Sequence, residues 1–413
     1  MVYFYIGGNM KKTKKETKDI QKSFSTSETI LLVLMASIVS YFIGHTIISS
    51  KKTTTVVRND PYVQEFADNY KYIIENYYKE VDRQALIDSA ISGMLESLDD
   101  PYSVYIDETE SDNFNITLNG SYKGIGLQIY KDEENGYIFV SSVFKNSPAD
   151  KAGIIAGYYI VSINNISAKD MDAQGFSSMV RESNETEFNI QILRDNKEQT
   201  VTVVRDEVVI DSVISEIYER NGKRVGYIYI GIFANNTYDQ FKEKLDSLKD
   251  EGIDSIIIDV RDNTGGHLTA VDQILDLFID SKHTKYQFYQ SGLTTKYKGT
   301  NKKVDKYNIV LLANQNSASA SEVLIAGLKD NLNCKLIGTK TYGKGTVQEL
   351  VNLKDGNQYK ITIKKWLTPN GNWVNDTEGI MPDIELELND QYYITRSDYD
   401  DNQLQTAIDY LTK

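Results

Sequence analysis

The chain contains a single cysteine, Cys334, so no disulfide can close within it. Its three histidines, His45, His267 and His283, lie too far apart to give a metal-ligand spacing, and a zinc site is not expected. Positive charge is also scarce, with 45 Lys and Arg against 59 Asp and Glu and a formal net charge of -14. That balance argues against nucleic acid as a partner, because affinity for phosphates depends on clustered cations. There are five prolines, no internal repeat and no low-complexity tract. What remains is an ordinary globular composition, 40% hydrophobic and 25% charged over 413 residues, enough for two or three domains with their own cores.

Long apolar runs are rare too. Residues 30–48 carry no charged side chain and reach the length needed to cross ~30 Å of hydrocarbon as a helix. Six lysines, Lys11, Lys12, Lys14, Lys15, Lys18 and Lys22, precede the run, against Lys51, Lys52 and Arg58 after it, which keeps the leading side cytoplasmic. The expectation is a cytoplasmic tail at 1–28, a single transmembrane anchor at 29–49, a linker at 50–60 and an extracytoplasmic remainder. A cleaved signal peptide is the rival, but it would need a shorter apolar run and a small-x-small cleavage site.

Apolar residues from 61 to 97 recur at three- and four-residue steps, interrupted near residues 80–82, which predicts two amphipathic helices in an N-terminal helical region at 61–118. Residues 119–207 read as short strands and turns around Ser147-Pro148-Ala149, a helix start with proline in its first turn. The order resembles a PDZ domain. In that resemblance Gly124-Ile125-Gly126-Leu127 is the loop that receives a peptide's terminal carboxylate, with the peptide added as an edge strand. From residue 208 to 390 buried apolar strands alternate with helices, the pattern of an α/β core, and residues 391–413 form a short helical tail. The expected fold class is an α/β (α+β) core with an inserted PDZ-like β-rich domain, an N-terminal helical segment and one transmembrane helix.

Ser319 lies in Ser317-Ala318-Ser319-Ala320-Ser321-Glu322, between a buried strand and a helix. A serine at such a corner faces a cleft and gains from the free N–H groups of the helix that follows, although most Ser-rich corners are only caps. It needs a base. His267 and His283 stand in no context that marks them as catalytic, whereas Lys344 is flanked by Gly343 and Gly345. A lysine desolvated in so tight a site can lose enough basicity to take a proton from serine, and Gln348, four positions on, is placed to orient the amine. The run from Gly338 to Lys344 nearly spells a phosphate-binding loop, but Gly345 stands where Ser or Thr would hold Mg²⁺.

Ser319 followed by Lys344 after 25 positions, within Ser-Ala-Ser-Ala-Ser-Glu and Gly-Lys-Gly-Thr-Val-Gln, resembles the C-terminal processing (tail-specific) peptidases. So do Asp99-Asp100-Pro101-Tyr102, the Gly124 loop, the Ser147 segment, Asn263-Thr264-Gly265-Gly266 and Thr368-Pro369-Asn370-Gly371, in the family's order from about residue 63 to 388. The resemblance implies a serine endopeptidase with Ser319 as nucleophile, Lys344 as base and Gln348 as its partner. It places the oxyanion between the N–H groups of Ala320 and one of Gly265 and Gly266, with Gly265 preferred. It also implies acyl transfer with no metal or organic cofactor, protein substrates with exposed C-termini, capture by the PDZ module coupled to the active site, and a homodimer. Two segments depart from the family's usual pattern: Ile154-Ile155-Ala156-Gly157-Tyr158 lacks the common basic residue, and Thr264 stands where proline is frequent. The alternative is a silent PDZ scaffold that binds tails without cutting them.

Overall fold

The computed structural model describes residues 60–413 except 195, 196, 305 and 355. Two compact units are present, divided after Ser89. The described part of the first carries the amphipathic helix Pro61–Asn76, opened by proline in its first turn and by the Asp60 side chain, which accepts a hydrogen bond from the Tyr62 N–H at 2.9 Å.

The second unit is built on a six-stranded sheet in the order Val213–Arg220, Lys223–Ile230, Ser255–Asp259, Asn308–Ala313, Lys335–Gly338 and Ile384–Glu385. The first pair is antiparallel and the others are parallel. The central strands read as unbroken apolar runs because both faces are covered. On one face Phe241, Leu245, Ile274, Leu275 and Val323 come from the helices Thr237–Asp250, Leu268–Asp276 and Ala320–Leu332. On the other, Leu404, Ala407, Ile408 and Leu411 of the helix Asn402–Thr412 pack on Ile257, Val310 and Leu312. The predicted tail helix is therefore a layer of the core, and its 404, 407/408, 411 spacing is the reason.

A separate β-rich module has strands in the order Leu127–Lys131, Ile138–Val143, Tyr159–Ile163, Glu187–Arg194 and Lys197–Val204, with Ile166–Ser167 paired to Tyr159–Ile163. The helix Ala173–Glu182 contributes Phe176 and Val180 to its own core. A third sheet, antiparallel throughout, joins Thr346–Asn352, Gln358–Leu367 and the hairpin Thr284–Gln290/Leu293–Lys298.

One part of the expected fold class is corrected. Among the described residues no helix is long and apolar enough to cross a membrane. The helix Pro61–Asn76 has 16 residues, short of the ~20 a span requires, and two polar faces of Gln64, Glu65 and Lys71 would meet lipid. The run at 30–48 lies outside the described residues, and the membrane partnership and the extracytoplasmic placement rested on it alone.

Candidate active site

Three adjacent parallel strands end at one edge of the core sheet, where crevices form in open α/β folds. Each is followed by a loop carrying a predicted residue. Gly265 and Gly266 follow Ser255–Asp259, Ser319 follows Asn308–Ala313 and Lys344 follows Lys335–Gly338. The loops converge on a cavity of about 530 Å³ lined by Gly265, Gly266, Ser319, Ala320, Lys344 and Gln348, among others.

Ser319 is held in a conformation few side-chain-bearing residues adopt, φ 55° and ψ -112°. The surroundings enforce it. The Ala318 N–H and the Ser321 hydroxyl both donate to the Asn263 carbonyl, at 3.1 and 2.8 Å, and the helix beyond is buried from Ala320 to Leu328. Gly265 abuts this corner: a Cβ there would lie 3.0 Å from Ser319 Cβ and 3.3 Å from the Ala320 nitrogen. Its own N–H already donates to Asn263 Oδ1 at 2.9 Å. The N–H groups of Gly266 and Ala320 have no acceptor among the described residues. The donors left free at the cavity are thus those of Ala320 and Gly266.

Lys344 is fixed through its backbone. Its N–H donates to Glu322 Oε2 and its carbonyl accepts from Trp366 Nε1, both at 2.8 Å. Gly345 is required by space, since a Cβ would lie 2.3 Å from Trp373 Nε1. The Lys344 nitrogen stands 4.6 Å above the centre of the Tyr102 ring, with no carboxylate at ion-pair distance among the described residues. Burial pushes its pKa down from 10.5 to about 8; the charge of Lys360 adds to the shift, and Asp100 and Glu322 oppose it. Ser319 Oγ and Lys344 Nζ face the same cavity without a hydrogen bond between them, as often occurs before substrate tightens a site.

Gln348 lies on the strand Thr346–Asn352, not in the turn or helix its spacing suggested. Its amide donates to Thr346 Oγ1 and Thr362 Oγ1, at 2.9 and 3.0 Å, rather than to the Lys344 amine. The run from Gly338 to Lys344 leads into that same strand, which removes the phosphate-loop reading.

Three further residues belong to the site. Glu322 is fully buried, and its carboxylate accepts from the N–H groups of Ser319, Gly343 and Lys344 and from Thr341 Oγ1, at 2.7 to 2.9 Å. It joins the serine corner to the lysine loop. Burial pushes its pKa up while the four donors work against that shift. Replacement by Ala would leave three N–H groups buried without an acceptor, and we expect denaturant unfolding to show a loss of about 3 kcal/mol or more. Tyr102, from the Asp99-Asp100-Pro101-Tyr102 block, underlies the Lys344 amine. His267 lines the cavity beside Gly266, but its buried Nε2 has no partner among the described residues and Ser319 is not hydrogen-bonded to it.

In the β-rich module, Gly124, Ile125, Gly126 and Leu127 line a second cavity, of about 160 Å³, together with Phe176 and Val180. Among the described residues the strand Leu127–Lys131 pairs on one side only, with Ile138–Val143, which leaves its other edge for strand addition.

The fold and the two cavities define a peptidase that carries a PDZ module. The family model of peptidase family S41 matches residues 224–386, a PDZ-domain model matches 139–194, and the model of the activating protease CtpB N-terminal domain matches 42–110. The carboxy-terminal processing protease CtpB of Bacillus subtilis strain 168 is 35% identical over 326 residues, 78% of this chain and 67% of that protein. CtpA of the same organism, also a carboxy-terminal processing protease, is 33% identical over 364 residues, 87% of this chain and 76% of that protein. A solved Bacteroides fragilis structure assigned to the S41 proteases shares the fold, with a TM-score of 0.50 at 17% identity over 82% of this chain and 98% of its own. The chain belongs to peptidase family S41, the C-terminal processing serine peptidases. That membership displaces the silent scaffold.

Proposed function

We propose that the chain is an endopeptidase that cuts proteins captured by exposed C-terminal tails, through an acyl-enzyme on Ser319 with Lys344 as general base. The observation that carries the reading is the convergence on one cavity of a strained serine, an amine with a pKa lowered to about 8 and two free N–H donors. Lys344 as free amine takes the hydroxyl proton as Ser319 Oγ attacks the scissile carbonyl carbon. The N–H groups of Ala320 and Gly266 hold the oxyanion. Collapse of the tetrahedral intermediate breaks the C–N bond, and the proton on Lys344 passes to the leaving amine. Water, deprotonated in turn by Lys344, then releases the acyl group. Gln348 lines the cavity and holds the strand wall through Thr346 and Thr362.

Gating by the PDZ module is part of the proposal. Support comes from the helix Glu108–Asn119, capped at its start by Asp107 and at its end by Gly120. Phe114 and Leu118 on one face line the Ser319 cavity, and Ile116, on the opposite face, lines the Gly124 groove. A peptide entering the groove meets the same helix that walls the active site.

The test is the pH dependence of peptide cleavage. Only the free amine accepts a proton, so kcat/KM is expected to rise about tenfold per pH unit below about 8 and to level off above it. A profile flat from pH 6 to 10, or one with the midpoint of an ordinary histidine near ~6.5, sinks the lysine base.

A further inference from the structure

The Ser319 cavity contains a second lysine that the proposed reaction does not use. Lys360 lies on the strand Gln358–Leu367, paired across the sheet with Leu350, and both side chains line the cavity. Its ammonium is half-buried, stands 5.3 Å from the centre of the Phe114 ring, and has no hydrogen-bond or ion-pair partner among the described residues. A cation withdrawn from water ordinarily has an anion or carbonyl oxygens to compensate it. This chain follows that rule elsewhere. Arg261 pairs with Asp259 and Asp401, Lys285 with Asp272 and Asp276, and Lys131 donates to the carbonyls of Ala168 and Met171. The cavity breaks the rule in a sequence with 59 acidic residues: among the described residues no Asp or Glu lines it, while two lysines do. With Lys344 acting as the free amine, Lys360 is left as the standing positive charge.

We propose that Lys360 receives a carboxylate of the bound peptide, so that the cavity selects chains with an acidic side chain or a free C-terminus a few residues from the bond that is cut. Phe114 occupies the space over the ammonium until the peptide arrives. The charge is built into a strand rather than a loop, which fixes the spacing between the carboxylate and Ser319. Burial also lowers the Lys360 pKa, and an arriving carboxylate would reverse that shift.

The inference rests on the Ser319 cavity being where peptide binds, and it is tested by equilibrium binding, which requires no turnover. The full chain carrying Ser319→Ala is titrated with fluorescent peptides of one sequence, with Glu or Gln at each position around the bond that the unsubstituted chain cuts and with a free or amidated C-terminus. One carboxylate form is expected to bind about tenfold more tightly than its neutral counterpart, the range of a charge-assisted hydrogen bond. Adding Lys360→Met should bring a Glu/Gln ratio to about one, or lower a free/amidated ratio about tenfold to what PDZ capture alone gives, whereas Lys360→Arg should keep either ratio. The Arg and Glu replacements carry the test if the Met variant does not fold, because Lys360→Glu should invert the ratio. A change in the Glu/Gln ratio assigns the carboxylate to a side chain, and a change in the free/amidated ratio assigns it to the C-terminus. PDZ capture acts equally on all Lys360 variants and cancels. Equal affinity for all forms, or a ratio untouched at Lys360, overturns the proposal. Continued cleavage by Ser319→Ala, read by mass spectrometry in the same samples, would instead overturn the serine assignment.

Discussion

Ser319→Ala is expected to lower kcat/KM for peptide cleavage by at least about 10,000-fold while leaving the unfolding transition nearly in place. The two halves of that result belong together. Ser319 supplies the one atom that becomes covalently bound to the substrate, so no neighbour can substitute for it. The bonds that hold the corner run mainly through the Ala318 N–H, the Ser321 hydroxyl and the Glu322 carboxylate, so losing what the Ser319 hydroxyl adds as a helix cap costs about 1 kcal/mol. Relief of the positive φ at residue 319 is not gained by alanine, which dislikes that region as serine does. A variant that retains a tenth of the activity would show that the cut is made elsewhere. One that unfolds with Ser319→Ala would show that the serine is structural.

Lys344→Met is expected to cost about 1,000-fold in kcat/KM and to remove the pH dependence from the residual activity. Methionine keeps the length and apolar stem of the side chain, so the packing over Tyr102 persists while the proton acceptor is lost. Lys344→Arg should fail equally, because a guanidinium stays protonated throughout the accessible range. Neither change touches the backbone N–H and carbonyl through which Glu322 and Trp366 hold the loop. A Lys344→Met enzyme with the wild-type pH profile would transfer the base to another group, and His267, on the wall of the same cavity, would be the first to examine.

Much of this arrangement was legible in the residues themselves. The break near residues 80–82 separates the helices Pro61–Asn76 and Arg83–Glu96. Apolar runs such as Ile256-Ile257-Ile258 read as buried parallel strands because they are β-branched and too short for a helix. The helix Glu108–Asn119 escaped notice for a physical reason: its apolar residues Phe114, Ile116 and Leu118 fall on two faces, one for each cavity, and so give no single stripe. Its caps, Asp107 and Gly120, were the available signal.

The site itself was legible by chemistry more than by geometry. Ser319 and Lys344 stood out through their surroundings, but the choice between Gly265 and Gly266 depends on which N–H Asn263 already occupies. That is a tertiary fact. Glu322 reads in the sequence as an ordinary helix first-turn acid, and only the fold turns it toward Gly343 and Lys344. Lys360 looks like any exposed strand lysine until the neighbouring helix places Phe114 above it.

Whether Lys344 activates Ser319 is read most directly from the rate at which a fluorophosphonate modifies the enzyme as a function of pH, with the adduct located by mass spectrometry. The expected adduct is on Ser319, formed at a rate that climbs through about pH 8 and is nearly lost in Lys344→Met. An adduct on any other residue, or a rate unchanged by Lys344→Met, would contradict the Ser319/Lys344 assignment.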